Sequence, residues 1–148
     1  MEKKDLKATP MQSGKMFSLE AEQAVLGNML IRPECFDTVS MLMKPEYFYL
    51  PQHKAIFSAM LAIDAASGAI DPLLILEMLR PESAFSSDDD GKTYLFQLAE
   101  MVLSSTNVEA YCKIIKDKYY IRTLVNVSAE IIDLAENSGD DADVLLDN

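Results

Sequence analysis

The amino-acid sequence predicts an all-α protein, a compact helical globule followed by a long helix that forms one arm of a helical hairpin. From Ser18 onward, apolar residues recur every three or four positions, which is the spacing of one face of an α-helix. Residues that begin or end helices interrupt this pattern, whereas runs of alternating apolar and polar residues are missing. Both observations favour helices over strands along the whole chain.

Each predicted helix follows from a local start or stop signal. Ser18 is a suitable N-cap for the first helix, whose first turn carries Glu20 and Glu22. Proline suits the first position of the next three helices, because the missing N–H has no partner there in any case. Asn107 caps the last helix, which contains neither proline nor glycine. The predicted bounds are 19–31, 33–42, 51–67 with Gly68 just past the end, 72–80 before Pro81, 94–103, and 107–138.

The segment SSDDDGKT at positions 86–93 is similar to two ligand-binding loops but fits neither. A phosphate-binding P-loop needs glycine where Ser86 stands, and the carboxylates at 88–90 would repel the phosphate. A calcium-binding EF-hand needs a bidentate glutamate where this chain has Gln97. The segment is therefore predicted to be an acidic surface turn with Gly91 at its bend.

The last predicted helix carries more apolar residues than the globule can cover. A helix lying on a core needs one apolar face of about 100°, and here the apolar residues extend beyond such a face. Either a helix returning after the acidic stretch at 140–143 or another protein chain must cover the remainder. Only residues 143–148 remain for the returning arm, so a truncated hairpin is predicted. Self-association is expected through Ile114, Ile121, Val125 and Ile132.

Length, charge and cysteine content limit the functional classes. The 148 residues fit one domain, divided into a flexible tail (1–17), a helical globule (18–106) and the long helix with the start of the hairpin (107–148). Neither a signal peptide nor a membrane span is recognised, and Cys35 and Cys112 suit buried thiols, which indicates a cytoplasmic protein. The net charge of −11 argues against direct binding of nucleic acid and favours protein partners.

No group of residues in the sequence suggests catalysis. The single histidine, His53, has neither cysteine nor carboxylate at metal-ligand spacing and is interpreted as a structural residue. No serine lies in a G-x-S-x-G turn of the kind that presents a nucleophile. The sequence therefore predicts a non-catalytic protein, with no catalytic, cofactor-binding or metal-binding residues.

Five segments match a known protein family in their order and spacing. They are SLEAEQAVLGNML (18–30), KPEYFYLPQHKAIFSAM (44–60), GAIDPLLILEML (68–79), TYLFQLAEMV (93–102) and NVEAYCKIIKDKYYIRTLV (107–125). Together they resemble the N-terminal domain of the bacterial replicative DNA helicase, the DnaB family, most specifically in LEAEQAVLG and PEYFY. Two departures fall in connections: residues 90–93 stand where the family usually has Gly-Gly before Tyr-Leu, and Leu103 stands where it usually has proline.

The resemblance implies a collar domain of a six-membered helicase ring. ATP and Mg²⁺ would then be bound only by a separate C-terminal motor, which these residues do not contain. The implied partners are a second copy of the domain, with three such dimers in a hexamer, then primase and a helicase loader. Glu20, Tyr94, Val125 and Ile131 are the candidate primase contacts, with a core role as the alternative for Tyr94 and Ile131. A second hypothesis is a free-standing adaptor of phage or mobile-element type that binds helicase or primase.

Overall fold

The computed structural model describes residues 16–102, 107–139 and 141–147, and the regular structure in these ranges is helical. Short 3₁₀ turns at Pro33–Cys35, Pro45–Tyr47 and Arg80–Glu82 connect some of the helices. The α-helices in chain order are α1 (Leu19–Ile31), α2 (Phe36–Leu42), α3 (Pro51–Ala65), α4 (Pro72–Leu79), α5 (Asp88–Glu100), α6 (Val108–Asn137) and α7 (Ala142–Asp147). The predicted all-α class is confirmed.

Helix α1 lies at the centre of the globule, because it packs against both α5 and α6. Its Val25, Leu26 and Met29 side chains are fully buried, and Phe48 and Phe57 extend the same core with ring centroids 5.4 Å apart. Burying side chains of this size stabilises the fold by roughly 1.5–3 kcal/mol each. The core therefore places the N-terminal half of α6 firmly against the rest of the protein.

The long helix is confirmed as α6, which has 30 residues and begins at the predicted cap. The Asn107 side chain accepts a hydrogen bond from the Ala110 N–H at 3.2 Å. The first half of α6 packs on α1 and α2. Arg122 is the last buried residue of α6, and every residue from 123 to 137 is exposed. About half of a helix roughly 45 Å long therefore projects from the globule.

The acidic segment forms the first turn of α5, so the predicted surface turn is wrong. The Ser87 hydroxyl caps this helix by accepting a hydrogen bond from the Asp90 N–H at 3.1 Å, and carboxylates in the first turn are favoured by the helix dipole. Asp88 also pairs with Arg80 at 2.9 Å. Gly91 is buried inside the helix, because the side chains of Leu76 and Phe85 occupy the space that a Cβ would need.

Two helix boundaries differ from the predicted ones for local reasons. Pro33 opens a short 3₁₀ turn, and α2 begins only after it, at Phe36. Helix α3 ends in a Schellman motif: the Gly68 N–H reaches the Ile63 carbonyl at 2.9 Å. The left-handed residue of this motif is Ser67, with φ of 62°, whereas Gly68 has no positive φ. The sequence predicts Gly68 as the residue just past the end of this helix.

The predicted flexible tail, residues 1–17, extends too far toward the globule. Met16 is buried and the Phe17 ring stacks on Tyr49 with centroids 4.3 Å apart, so both residues belong to the globule. Residues 1–15 lie outside the described residues. The fifth predicted helix, α5, ends at Glu100, and its predicted last residue, Leu103, also lies outside the described ranges.

Candidate protein interface

Arg122 fixes the point at which α6 leaves the globule. Its guanidinium donates hydrogen bonds to the Met16 carbonyl at 2.7 Å and to the Tyr47 carbonyl at 2.9 Å. The same group lies over the rings of Tyr49 and Tyr119, 5.2 and 5.9 Å from their centroids. Burial lowers the pKa of Arg122 from its ordinary value, and Glu22 acts in the opposite direction. The Arg122 side chain thus connects Met16, the first described residue, to the point where α6 leaves the globule.

A chain of polar side chains crosses the globule beside this point. His53 Nδ1 lies 2.7 Å from the Glu22 carboxylate, and His53 Nε2 lies 2.6 Å from the Tyr94 hydroxyl. An ionised carboxylate only accepts hydrogen bonds, so Nδ1 donates to Glu22, and in a neutral imidazole Nε2 then accepts from the Tyr94 hydroxyl. The Tyr94 oxygen in turn accepts from Gln23 Nε2 at 3.3 Å. Both nitrogens of the buried imidazole are satisfied, which agrees with the structural interpretation of His53.

Glu22 also organises the start of α3. The Tyr49 N–H donates to its carboxylate at 2.7 Å, and the Leu50 N–H lies 3.5 Å from the other oxygen. Leu50 occupies the N-cap position and has no side-chain acceptor. Glu22 of α1 instead accepts from the N–H of this cap residue and of the residue before it, which holds the entry to α3 against α1. From the sequence alone, Glu22 is predicted only as a first-turn residue of α1. The available signals were an uncapped Pro51 helix and a carboxylate one helical turn before the apolar Val25 and Leu26.

The four residues predicted for self-association lie together on the projecting helix. At 100° per residue, Ile114, Ile121, Val125 and Ile132 fall within about 40° of one another around α6. Each is between 38% and 56% exposed, so none belongs to the core. Arg122 and Asn126 lie about 100° around α6 from these four residues and line a pocket against the globule. The four residues therefore lie on a side of α6 that does not face the globule.

The four predicted primase contacts fall into two separate pairs. Glu20 is exposed on α1, one turn before Gln23, whose amide bonds Tyr94, so Glu20 and Tyr94 lie near each other. Val125 and Ile131 lie on the projecting half of α6, and Ile131 is about 14 Å beyond Arg122 along the helix. Ile131 is 60% exposed, which makes a core role for it wrong.

Tyr94 has the mixed character of a residue at the edge of the core. Burial raises the pKa of its hydroxyl, and the Glu22 carboxylate raises it further, whereas the hydrogen bond from Gln23 lowers it. Its ring stacks on His53 with centroids 5.8 Å apart and tilts against Phe85. The half-buried Tyr94 thus combines a structural hydrogen bond with an accessible surface.

The described residues contain nothing that would hold a metal ion. In the three described ranges, no three His, Cys, Asp or Glu side chains gather in a ligand cluster. Among the helices that the structure describes, none combines the length and hydropathy required for a membrane span.

Comparison with known proteins assigns the chain to a family. A family model of the DnaB-like helicase N-terminal domain matches residues 15–117. The replicative DNA helicase DnaB of Pasteurella multocida is 36% identical over 124 residues, and that of Geobacillus stearothermophilus is 34% identical over 130 residues. The matches cover 82% and 88% of this chain but only 26% and 28% of those relatives. The chain thus spans about a quarter of their length.

Solved structures give the same assignment. The N-terminal domain of DnaB helicase from Mycobacterium tuberculosis superposes with a TM-score of 0.78 at 25% identity, covering 88% of this chain and 92% of that domain. The corresponding domain from Helicobacter pylori, described together with its interactions with primase, has a TM-score of 0.68 at 20% identity over 79% of this chain and 90% of that one, which supports the fold alone. The chain therefore belongs to the DnaB-like helicase N-terminal domain family.

Proposed function

We propose that this chain is the non-catalytic N-terminal domain of a cytoplasmic replicative DNA helicase, where it joins subunits of the ring and docks primase. The relatives are replicative helicases, and this chain matches about a quarter of their length at the N-terminal domain. Unwinding and ATP hydrolysis are assigned to a motor outside these residues. The task of this domain is then to bind other proteins.

The exposed apolar residues of the projecting half of α6 carry this proposal. Residues 123–137 are all exposed, and they include Leu124, Val125, Val127, Ile131, Ile132 and Leu134. Burying apolar surface is worth about 25 cal/mol per Å², so an open face of this kind gains stability from any partner that covers it. Dimers that pair through α6, three to a hexameric collar, satisfy this requirement.

Primase is the second proposed partner, and a helicase loader is the third. The H. pylori domain of the same fold has been described with its interactions with primase. Glu20 and Tyr94 provide an accessible carboxylate and a half-buried aromatic ring on the globule. A primase surface that contacts the globule and the nearer part of the projecting helix would also contact Val125.

A single charge on α6 tests the proposal. The substitution Val125→Asp places a carboxylate on the side of α6 that carries the four residues predicted for self-association, and the matched control Asn126→Asp places one about 100° around the helix, on the side that carries Arg122. Because Val125 is 39% exposed, the variant should keep its helical circular dichroism and lose self-association in sedimentation velocity. Binding to the cognate primase, measured by surface plasmon resonance, should weaken for Val125→Asp alone. A folded Val125→Asp chain with unchanged oligomeric state and primase affinity would contradict the proposal.

A further inference from the structure

The first described residues of the chain are fixed at the base of the projecting half of α6. The Met16 carbonyl accepts a hydrogen bond from the Arg122 guanidinium at 2.7 Å, and the Phe17 ring stacks on Tyr49. Met16 is buried, so its position is set by the core. The segment 1–15 therefore joins the globule beside Arg122, at the level where α6 begins to project.

The side of α6 that carries Arg122 is acidic where the helix projects. Four exposed polar residues of the projecting half continue this side, within about 60° of one another at 100° per residue: Asn126, Glu130, Asp133 and Asn137. The four residues predicted for self-association lie about 130° around the helix from this acidic side. Its carboxylates are thus separate from the apolar face on which those four residues lie.

The carboxylates of the acidic side lack a basic partner within the described ranges. Glu130 and Asp133 belong to none of the ion pairs found there, and no lysine or arginine follows Arg122 in the sequence. The Asp133 carboxylate accepts a hydrogen bond from the Asn137 amide at 2.6 Å, which leaves its charge uncompensated. By contrast, the acidic residues 88–90 lie in the favourable first turn of α5, where Asp88 also pairs with a guanidinium.

The segment 1–15 has the complementary charge and the necessary length. It contains two carboxylates and four lysines, which are Lys3, Lys4, Lys7 and Lys15. The nine positions between Lys7 and Met16 span up to about 30 Å when extended. Asp133 lies only about 16 Å beyond Arg122 along the helix. The lysines of this segment can therefore reach both carboxylates of the acidic side.

We propose that residues 1–15 of this chain lie along the acidic side of α6, with Lys3, Lys4 and Lys7 near Glu130 and Asp133. Exposed ion pairs are individually weak, but the segment is attached at the base of the same helix, so the contact is intramolecular and needs little affinity of its own. The docked segment adds basic charge to a half-helix that otherwise carries only acidic charge. This inference goes beyond the proposed function and does not depend on it.

Trypsin cleavage after Lys7 tests this inference in the unmodified 148-residue chain. Because only an undocked segment fits a protease, the cleavage rate, followed by mass spectrometry, measures the undocked fraction. Glu130→Gln combined with Asp133→Asn should speed the cleavage about fivefold at about 0.05 M salt. The difference should vanish at about 0.5 M salt, where exposed charges are screened. The control pair Asp64→Asn with Glu100→Gln removes the same charge from α3 and α5 and should leave the rate unchanged.

Crosslinking locates the segment and identifies the chain to which it docks. A carbodiimide joins lysine amines to carboxylates in direct contact, and a mixture of isotope-labelled and unlabelled chains distinguishes links within one chain from links between two. Links from Lys3, Lys4 or Lys7 to Glu130 or Asp133 of the same chain are expected. Links to residues 88–90 or to a second copy in their place would overturn the inference. Equal cleavage rates at low salt for the unmodified chain and the Glu130 and Asp133 variant would overturn it as well, provided that circular dichroism shows α6 retained.

Discussion

The close approach of α1 and α5 makes Gly27 a sensitive position of the core. A Cβ at Gly27 would overlap the carbonyl oxygen of Leu98 and would lie 2.5 Å from Val102 Cγ2. The carbonyl belongs to the backbone of α5, which cannot rotate aside as a side chain can. Substitution of Gly27 by alanine therefore forces the two helices apart along their whole contact.

The expected cost of Gly27→Ala follows from two opposing effects. Overpacking against backbone lies at the upper end of the usual range, about 3 kcal/mol. Alanine recovers about 1 kcal/mol, because it is a better helix former than glycine. The net loss in the free energy of unfolding is then about 2 kcal/mol. For a domain of this size the melting temperature should fall by about 4–8 °C.

Gly91→Ala is the matched comparison. A Cβ there would meet Leu76 Cδ2 at 2.8 Å and Phe85 Cδ2 at 3.2 Å, which are the ends of side chains. These atoms can move, so a cost of about 1 kcal/mol is offset by a similar gain in helix propensity. Urea denaturation followed by circular dichroism, at one protein concentration because the chain is proposed to self-associate, compares the variants. The reasoning is refuted if Gly27→Ala unfolds within 0.5 kcal/mol of the unmodified chain, or if Gly91→Ala loses as much.

Three further substitutions test other features of the fold. Ser67→Gly should stabilise the chain by about 1 kcal/mol in urea denaturation, because Ser67 has a positive φ that glycine adopts without strain; a loss of stability would contradict this. Glu22→Gln should cost about 1–3 kcal/mol, since the amide presents a donor to His53 or to the Tyr49 N–H, and an unchanged urea midpoint would show that the carboxylate is dispensable. Burial raises the pKa of the Cys112 thiol to about 12 in the folded chain. Because the thiol of the unfolded chain loses its proton at a lower pH, the free energy of unfolding should fall as the pH rises above 9. By pH 10 the loss is about 1.4 kcal/mol, and the Cys112→Ala variant should show a correspondingly flatter pH profile between 8 and 10; parallel profiles would contradict it.

Local sequence patterns predict the helical class and most of the helices. A helix begins where a neighbouring residue can cap it, such as Ser18 before α1 and Asn107 before α6. Its buried face follows from the spacing of the apolar residues within that helix. The excess of apolar residues in 107–138 also predicted that part of this helix needs a partner. The structure agrees with that expectation, because it leaves Ile114, Ile121, Val125 and Ile132 exposed. One globule cannot cover a helix that is apolar on more than one face.

Local signals also produced the errors. The acidic segment at 86–93 is predicted to be a turn because Asp and Gly favour turns in isolation. In the structure the Ser87 side chain caps it as the start of a helix. Its glycine is then buried among Leu76 and Phe85, which approach from outside the local pattern. Similarly, Met16 is predicted to lie in the flexible tail. Its hydrogen bond comes from Arg122, 106 positions away, so no local pattern indicates that it belongs to the globule.

Contacts between distant polar residues depend on how the helices pack. Glu22, His53 and Tyr94 are separated by 31 and 41 positions, and each of them alone has an ordinary local explanation. Their hydrogen bonds exist because α1, α3 and α5 pack around one core and exclude water from the space between them. Helix formation is governed by neighbours in sequence, whereas pairing of buried polar groups is governed by neighbours in space.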